Sequence, residues 1–145
     1  MVFVDTNIYF HAHDVRLPEK QAACRSWLVA LGARRLGKTN LQVANDFADV
    51  VLRKRRDISP DIVFSLVDDI LVWGSAPIDS ETVATAQAIH LRYGYSWWDC
   101  LLLASAIQLG CTHFLSEDLQ DGQRIDTLTI VDPFAHSPEQ ILISR

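Results

Sequence analysis

The sequence is poor in the residues that build zinc sites and disulfide frameworks. Its cysteines, Cys24, Cys100 and Cys111, are odd in number, and no two of them have Cys-x-x-Cys spacing. This pattern argues against a zinc ribbon and against a small disulfide-bonded scaffold. We therefore predict that the three thiols are small buried apolar groups in a reducing compartment.

Long apolar runs and an excess of positive charge are also missing. The longest mainly apolar stretch, Cys100 to Ile107, is too short to span a bilayer, and Asp5 interrupts the apolar start. These features predict a cytoplasmic protein with no signal peptide and no membrane partner. The formal net charge of −5 repels nucleic acid, so any binding to it would need a local basic surface or a bridging cation.

What is present is typical of one globular α/β domain. With 145 residues, of which 49% are hydrophobic and 21% charged, the chain can bury one substantial core over residues 1–145. Short β-branched or aromatic segments alternate with helical patterns, which predicts a parallel sheet sandwiched between helices. Strands are predicted at 2–4, 72–78, 112–115 and 128–131, with a loop or strand between Gly32 and Gly37. Helices are predicted at 8–12 with Asn7 as N-cap, and at 18–31, 41–56, 60–71, 80–93 and 97–109.

Four carboxylates occupy positions where such a fold could bring them together. Asp5 ends the first strand, and Asp118 follows the strand at 112–115. If these strands are parallel, both acids lie at the carboxyl edge of the sheet, where open α/β sheets bind ligands. Asp99 lies in the first turn of the helix that begins at Trp97, and Asp46 lies in the long helix beside the core-facing Phe47.

Each acid also has a simpler structural explanation. Asp5 could form an Asx turn into the first helix, and Asp118 could serve in an ordinary turn. Asp99 has capping-box spacing from Ser96, and Asp46 could be a solvated helix residue. Like charges about 4 Å apart repel by roughly 4 kcal/mol at an effective dielectric of 20. If the four acids do converge, they require raised pKa values or a cation, and oxygen ligands alone select Mg²⁺ or Mn²⁺. Such an ion favours metal-assisted phosphodiester hydrolysis.

Several motifs of this sequence resemble those of a known family. The chain is similar to PIN domains, and more closely to VapC-type ribonuclease toxins of bacterial toxin–antitoxin systems. No single motif is specific, but the matches occur in series along nearly the whole chain. They are Val4–Asn7, Gln42–Phe47, Tyr95–Ala106, Leu115–Gln123 and Asp132–Phe134.

The resemblance implies an α/β/α sandwich with a five-stranded parallel sheet. It also implies an endoribonuclease that depends on Mg²⁺ or Mn²⁺, forms a homodimer and is neutralised by a cognate antitoxin. Carried over to this sequence, Asp5 and Asp99 would be the principal metal ligands, and Asp118 would complete the acidic cluster. The implied polar neighbours of this site are Thr6, Asn7, Ser116 and Glu117.

One position departs from the family pattern. The mid-helix acid of the family is usually Glu, and this chain has Asp46, whose carboxylate reaches one methylene less far. We expect Asp46 to act in catalysis, either through a water molecule or from a local backbone that lies closer to the metal. Otherwise the acidic cluster is weakened. A catalytically weak or inactive PIN module that binds RNA or a protein partner is therefore the alternative. A phosphatase with an aspartyl nucleophile would need a second Asp two residues after Asp5, and this chain has Asn7 at that position, which argues against this class of enzyme.

Basic and aromatic residues offer candidate RNA contacts. The run Arg53-Lys54-Arg55-Arg56 ends the helix that carries Asp46 and predicts phosphate contacts, although a solvated helix end that compensates the dipole is the simpler explanation. Arg16, Lys20, Arg25, Arg34, Arg35 and Lys38 could form a second basic margin. Trp97 and Trp98 could stack on bases, but their apolar surroundings favour a core position. His11 and His13 are two residues apart and suit no metal pair, so no catalytic role is expected for histidine.

Overall fold

Five short strands form one sheet in the computed structural model, which describes residues 1–142. The last three residues of the predicted domain lie outside the described range. In spatial order the sheet is β2-β1-β3-β5-β4, and every neighbouring pair is parallel except β4 and β5. The strands are β1 (Val2–Val4), β2 (Gly37–Lys38), β3 (His113–Leu115), β4 (Arg124–Ile125) and β5 (Leu128–Val131).

The expectation of a fully parallel sheet is therefore wrong at one edge. β4, which was not predicted, is joined to β5 by two residues, and Asp126 between them has a positive φ of 57°. A connection this short can join only antiparallel strands, because a parallel crossover needs a dozen residues or more. The sheet is mostly parallel, and its fifth strand is the second arm of a hairpin.

The helices follow local start and stop signals. Proline occupies the first turn of α2, α4 and α7, while side chains of Asn40, Asp79 and Ser96 cap α3, α5 and α6. Of these helices only the short C-terminal one was not predicted. The helices are α1 (Thr6–Ala12), α2 (Pro18–Arg34), α3 (Leu41–Lys54), α4 (Pro60–Leu71), α5 (Ser80–Tyr93), α6 (Trp97–Gln108) and α7 (Pro138–Ile141).

Two local predictions are wrong. Asp5 rather than Asn7 caps α1, because the Asp5 carboxylate accepts a hydrogen bond from the Thr6 N–H at 2.7 Å. The segment 72–78 is not a strand. Only Ala76 makes an isolated bridge, to Asn40. The chain here turns tightly over β2, and a Cβ on Gly74 would lie 2.2 Å from the Thr39 carbonyl oxygen.

The core lies between the sheet and its two helical layers. β2 and β3 flank β1 on opposite sides, so right-handed crossovers place α1–α2 and α5–α6 on opposite faces of the sheet. This confirms the three-layer α/β/α fold. Within α6 every residue from Cys100 to Ala106 is buried, and the rings of Phe3 and Phe114 stack with centroids 5.3 Å apart. Across residues 1–142, no helix is long and apolar enough to cross a membrane.

The cysteines are buried, as predicted. Burial raises the pKa of the Cys24 thiol to about 12 and that of Cys111 to about 11. Thiols with such pKa values remain protonated at neutral pH and are poor nucleophiles and metal ligands. Cysteine therefore contributes packing here.

Candidate functional site

A cavity of about 450 Å³ opens beside the carboxyl ends of β1 and β3. All four predicted carboxylates line it, although they come from four separate segments of the chain. Three of the predicted polar neighbours line it too, and the fourth, Ser116, contacts Asp5 directly. The lining residues are Asp5, Thr6, Asn7, Phe10, His11, Asp46, Asp49, Val50, Lys54, Trp98, Asp99, Leu102, Glu117 and Asp118.

Asp5 is fixed at the floor of this cavity by the sheet itself. The parallel register pairs Val4 with Leu115, which brings Ser116 beside Asp5 at the ends of adjacent strands. The Ser116 hydroxyl donates to Asp5 Oδ2 at 2.8 Å, while the Thr6 N–H donates to Oδ1. Only 5% of Asp5 is exposed. Asp5 therefore caps a helix, as the simpler explanation supposed, and also presents its carboxylate to the cavity.

The environment of Asp5 disfavours its negative charge. Burial raises its pKa from 3.8 to about 7, the charges of Asp99 and Asp118 add to this rise, and the hydrogen bonds from Ser116 and Thr6 oppose it. The protonated form of the carboxyl is therefore favoured well above the ordinary pKa of an aspartate. A raised pKa is one of the two outcomes expected for converging acids, and burial contributes more to it than repulsion does.

Asn7 links the two strand-end acids. Its Nδ2 donates to Asp118 Oδ2 at 3.0 Å, to the Ser116 hydroxyl at 3.1 Å and to Asp5 Oδ2 at 3.3 Å. Its Oδ1 accepts from the Glu117 N–H at 3.4 Å. One neutral amide thus separates two carboxylates and holds the loop after β3 against the start of α1.

Asp99 serves both the helix and the cavity. The Ser96 hydroxyl accepts from the Asp99 N–H at 3.2 Å and donates to Asp99 Oδ2 at 2.9 Å, so the carboxylate contacts the cap hydroxyl rather than the cap N–H. The carboxylate is half-buried. Burial raises its pKa, and the negative charge of Asp118 contributes.

Asp46 reaches the cavity from α3 instead of pointing into solvent. It is half-buried, and burial raises its pKa, with the charge of Asp49 adding to the effect. Asp49 lines the same cavity one helical turn later and was missed in the sequence. Its i,i+3 spacing from Asp46 was the signal that could have identified it.

Glu117 is held by two side chains, His11 and Lys20. Its Oε1 lies 2.5 Å from His11 Nε2, and its Oε2 accepts from Lys20 Nζ at 3.0 Å. Burial raises the pKa of Glu117, but the hydrogen bonds and charges of His11 and Lys20 outweigh it and hold the pKa below 4.5. His11, for which no catalytic role is expected, therefore anchors the residue next to Asp118.

The structure divides the predicted phosphate-binding run, in which Arg53, Lys54 and Arg56 are exposed and Arg55 is buried. Arg55 is 7% exposed and binds Asp57 at 2.8 Å and Asp14 at 3.3 Å, because it closes the loop after α3 onto the end of α1. Arg53 pairs with Asp49 at 3.3 Å. Lys54 is exposed and is the residue of the run that lines the cavity. The second basic margin is also partly occupied by internal partners, since Arg16 binds Asp14, Lys20 binds Glu117 and Arg25 donates to Ala12 O.

The tryptophans at the start of α6 are not core residues, contrary to the prediction. Trp97 is 37% exposed and Trp98 is 66% exposed, because the first turn of α6 projects beyond the buried stretch that begins at Cys100. Trp98 lines the acidic cavity.

The donor set suits a hard divalent cation. The cluster of Asp5, Asp99 and Asp118 offers carboxylate oxygens, and the buried Thr6 Oγ1 has no hydrogen-bond partner among residues 1–142. Mutual repulsion contributes to the raised pKa values of Asp5 and Asp99, and a cation would relieve it. Within the described chain, however, no three His, Cys, Asp or Glu side chains are already gathered as a metal-ligand set. The chemistry of the site fits Mg²⁺ or Mn²⁺, whereas the ligand arrangement is not preformed.

Comparison with known proteins places this geometry in a family. The chain is similar to the solved FitAcB from Neisseria gonorrhoeae (TM-score 0.69, 14% identity, covering 92% of this chain and 99% of that one). It is similar to a toxin–antitoxin complex from Klebsiella pneumoniae (TM-score 0.65, 14% identity, 92% and 98%). It is also similar to the sarcin-ricin loop cleaving toxin VapC20 from Mycobacterium tuberculosis (TM-score 0.58, 14% identity, 79% and 87%).

At these identities the structures show a shared fold. Comparison with curated proteins finds no match. The PIN-domain family model matches residues 2–126, a range that contains all four predicted carboxylates, and the chain therefore belongs to the PIN-domain family.

Proposed function

We propose that this PIN domain is a Mg²⁺- or Mn²⁺-dependent endoribonuclease that hydrolyses RNA phosphodiester bonds. The observation that carries the proposal is the meeting of Asp5, Asp46, Asp99 and Asp118 around one cavity at the carboxyl edge of the sheet. Acids so distant in sequence have no structural need to share a cavity, and their repulsion costs stability unless a cation is bound.

Each side chain of the site has a distinct proposed role. Asp5, Asp99 and Asp118 would hold the cation, which when bound supplies an activated water and neutralises charge on the phosphate. Ser116 and the Thr6 N–H fix the orientation of Asp5, and Asn7 positions Asp118. Asp46, whose pKa is raised by burial, is suited to accept a proton from the attacking water.

We further propose that the protein is the toxin of a toxin–antitoxin pair. The Klebsiella structure of similar fold is a toxin–antitoxin complex, and the similar VapBC2 structure from Rickettsia felis is bound to a fragment of promoter DNA. By analogy this chain would bind a cognate antitoxin, form a homodimer and act in the cytoplasm, where its RNA substrate is found. Co-expression with a small neighbouring open reading frame should relieve its toxicity.

A catalytically weak PIN module that binds RNA or a protein is the second candidate. Two observations favour it. Asp46 stands where the family usually has the longer Glu, and no metal-ligand set is already assembled among residues 1–142. Such a module would keep the fold and its partners but would hydrolyse RNA slowly or not at all.

A cleavage assay separates the two functions. Purified protein is incubated with structured RNA in Mn²⁺, in Mg²⁺ and in EDTA, beside Asp5→Asn, Asp99→Asn and the matched control Asp68→Asn on the exposed surface of α4. The endoribonuclease cleaves only with a divalent cation, and Asp5→Asn and Asp99→Asn lose at least about 100-fold in rate whereas Asp68→Asn does not. RNA binding without cleavage in either metal would establish the module. Undiminished cleavage in EDTA would contradict the proposed chemistry.

A further inference from the structure

Trp98 has an environment that packing does not explain. It is the second residue of α6, it is 66% exposed, and it lines the acidic cavity immediately beside Asp99. Its neighbour Trp97 is 37% exposed and does not line the cavity. A single exposed apolar side chain is ordinary on a protein surface, but this one is a large aromatic ring that lines the same cavity as the four predicted acids.

Electrostatics alone give RNA little reason to bind here. Six carboxylates line the cavity and Lys54 is its only Lys or Arg among the described residues, while the whole chain carries a net charge of −5. The neighbouring Arg55 is committed to Asp14 and Asp57, and Arg53 pairs with Asp49. Phosphate attraction normally supplies most of the affinity of a nucleic-acid-binding protein, and among the described residues of this cavity only Lys54, with the proposed cation, offers it, which favours a further interaction that does not depend on charge.

An exposed indole supplies such an interaction. Unpaired bases stack on aromatic side chains with a free energy that does not depend on phosphate charge, and any base can take part because each has a π face. A base within a duplex is already stacked on its neighbours and is not available. A tryptophan beside the catalytic acids would therefore hold a nucleotide next to the scissile bond only where the strand is unpaired.

We propose that Trp98 is a substrate-binding residue that stacks on an unpaired base adjacent to the scissile phosphate, with Lys54 contacting the backbone. This inference rests on the proposed ribonuclease function and adds a substrate-binding residue to its site. Trp98 contributes to binding and register, whereas the carboxylates carry the chemistry.

Binding is measured in the Asp5→Asn background, in which hydrolysis is blocked. The probe is a labelled 12-nucleotide single-stranded RNA of randomised sequence, compared with the same length of duplex and with probes that carry one abasic site at each position in turn. Trp98→Ala is expected to raise Kd for the single strand roughly 5- to 100-fold, which corresponds to the loss of one base stack. Trp98→Phe and the control Trp97→Ala should stay within about 3-fold. Duplex binding should be weak and unaffected.

Two further readouts separate stacking from a loss of fold. In the protein that retains Asp5, Trp98→Ala should raise KM by a similar factor and leave kcat within about 3-fold. One abasic position should weaken binding to the Asp5→Asn protein and have no further effect once Trp98 is alanine, since the same stack cannot be lost twice. The abasic series needs no tryptophan variant to detect the stack, so it stands even if Trp98→Ala is unstable.

The outcomes distinguish this inference from the proposed function. If RNA is cleaved and Asp5→Asn abolishes cleavage, but Trp98→Ala leaves Kd and KM unchanged, the ribonuclease stands and the stacking role is overturned. The exposed indole would then be assigned to a protein partner. If no RNA is bound or cleaved by any form, both are overturned.

Discussion

Asn7 and Asp118 lie 111 positions apart in the chain and are joined by a hydrogen bond of 3.0 Å from Nδ2 to Oδ2. The same amide nitrogen lies 3.3 Å from Asp5 Oδ2. A neutral donor between two acids offsets part of their repulsion without adding a charge. The start of α1 thereby fixes the loop after β3, and Asn7 together with Ser116 sets the spacing of Asp5 and Asp118.

Replacing Asn7 with Asp should therefore destabilise the metal-free protein. The change removes the donor and adds a negative charge next to two carboxylates, which should lower the free energy of unfolding by about 2–3 kcal/mol and Tm by roughly 4–12 °C at pH 8. Divalent cations should restore part of the loss. Thermal unfolding with and without Mg²⁺ measures it, and Asn7→Ala, which removes only the bridge, is the control. Equal Tm losses for the two variants would show that charge is not the cause.

The raised pKa of Asp5 predicts how stability depends on pH. Because the folded pKa of about 7 exceeds the ordinary 3.8, the folded protein binds more protons between these values. The stability contributed by Asp5 is fully present below about pH 4 and is lost as pH rises through 7. Without metal, the free energy of unfolding should fall by a few kcal/mol between pH 5 and pH 8, and the fall should be smaller in Asp5→Asn. Denaturant titrations across this range measure both slopes, and parallel slopes would contradict the assignment.

Divalent cations should oppose this loss of stability at higher pH. A cation competes with the proton on Asp5, so the stabilisation by Mn²⁺ should be larger at pH 8 than at pH 5.

The adjacent acids Glu117 and Asp118 should behave differently when neutralised. Glu117→Gln breaks the pairs with His11 and Lys20, so it should lower the free energy of unfolding by about 1–2 kcal/mol. It should leave cation affinity within a few-fold. Asp118→Asn should do the reverse, with stability nearly unchanged and Mn²⁺ affinity reduced about 10-fold or more. Unfolding curves and Mn²⁺ titration of both variants test this, and a greater loss of affinity in Glu117→Gln would exchange their roles.

Lys54 and Arg55 form a second contrasting pair. Arg55→Ala leaves the buried Asp14 without one of its two arginines, and we expect the free energy of unfolding to fall by about 2–3 kcal/mol. Lys54→Ala removes an exposed side chain and should leave stability within about 0.5 kcal/mol while weakening RNA binding about 2- to 5-fold. Unfolding and single-strand binding assays compare the two. Weaker RNA binding by a folded Arg55→Ala than by Lys54→Ala would restore the basic run as the phosphate contact.

Three of the four acids could be placed from the sequence because each stands at a recognisable boundary, whereas Asp46 lies inside a helix. Asp5 follows a buried strand, Asp118 follows another, and Asp99 has a cap residue three positions before it. Parallel strands end at one edge, so the meeting of Asp5 and Asp118 follows from the strand directions alone. The catalytic and ligand roles of these acids remain predictions.

Features that depend on contacts between distant segments of the chain were not predicted. The partners of Arg55 lie on either side of a loop, and the pairing of Glu117 with His11 and Lys20 joins distant segments, so local pattern shows neither. Trp98 was expected in the core because α6 is apolar on all faces and has no polar stripe to show where burial begins. β4 is too short to show the alternation of polar and apolar residues that predicts a strand.

The most direct test of the account is an anomalous difference map from a crystal soaked in Mn²⁺ at pH 8. We expect a peak in the cavity within about 2.0–2.5 Å of carboxylate oxygens of Asp5 and Asp99, with Asp118 directly or through water as a further ligand. The peak should be absent from Asp5→Asn crystals soaked in the same way. A cavity with no peak, in which the Asp5 and Asp99 carboxylates stay apart at saturating Mn²⁺, would contradict it.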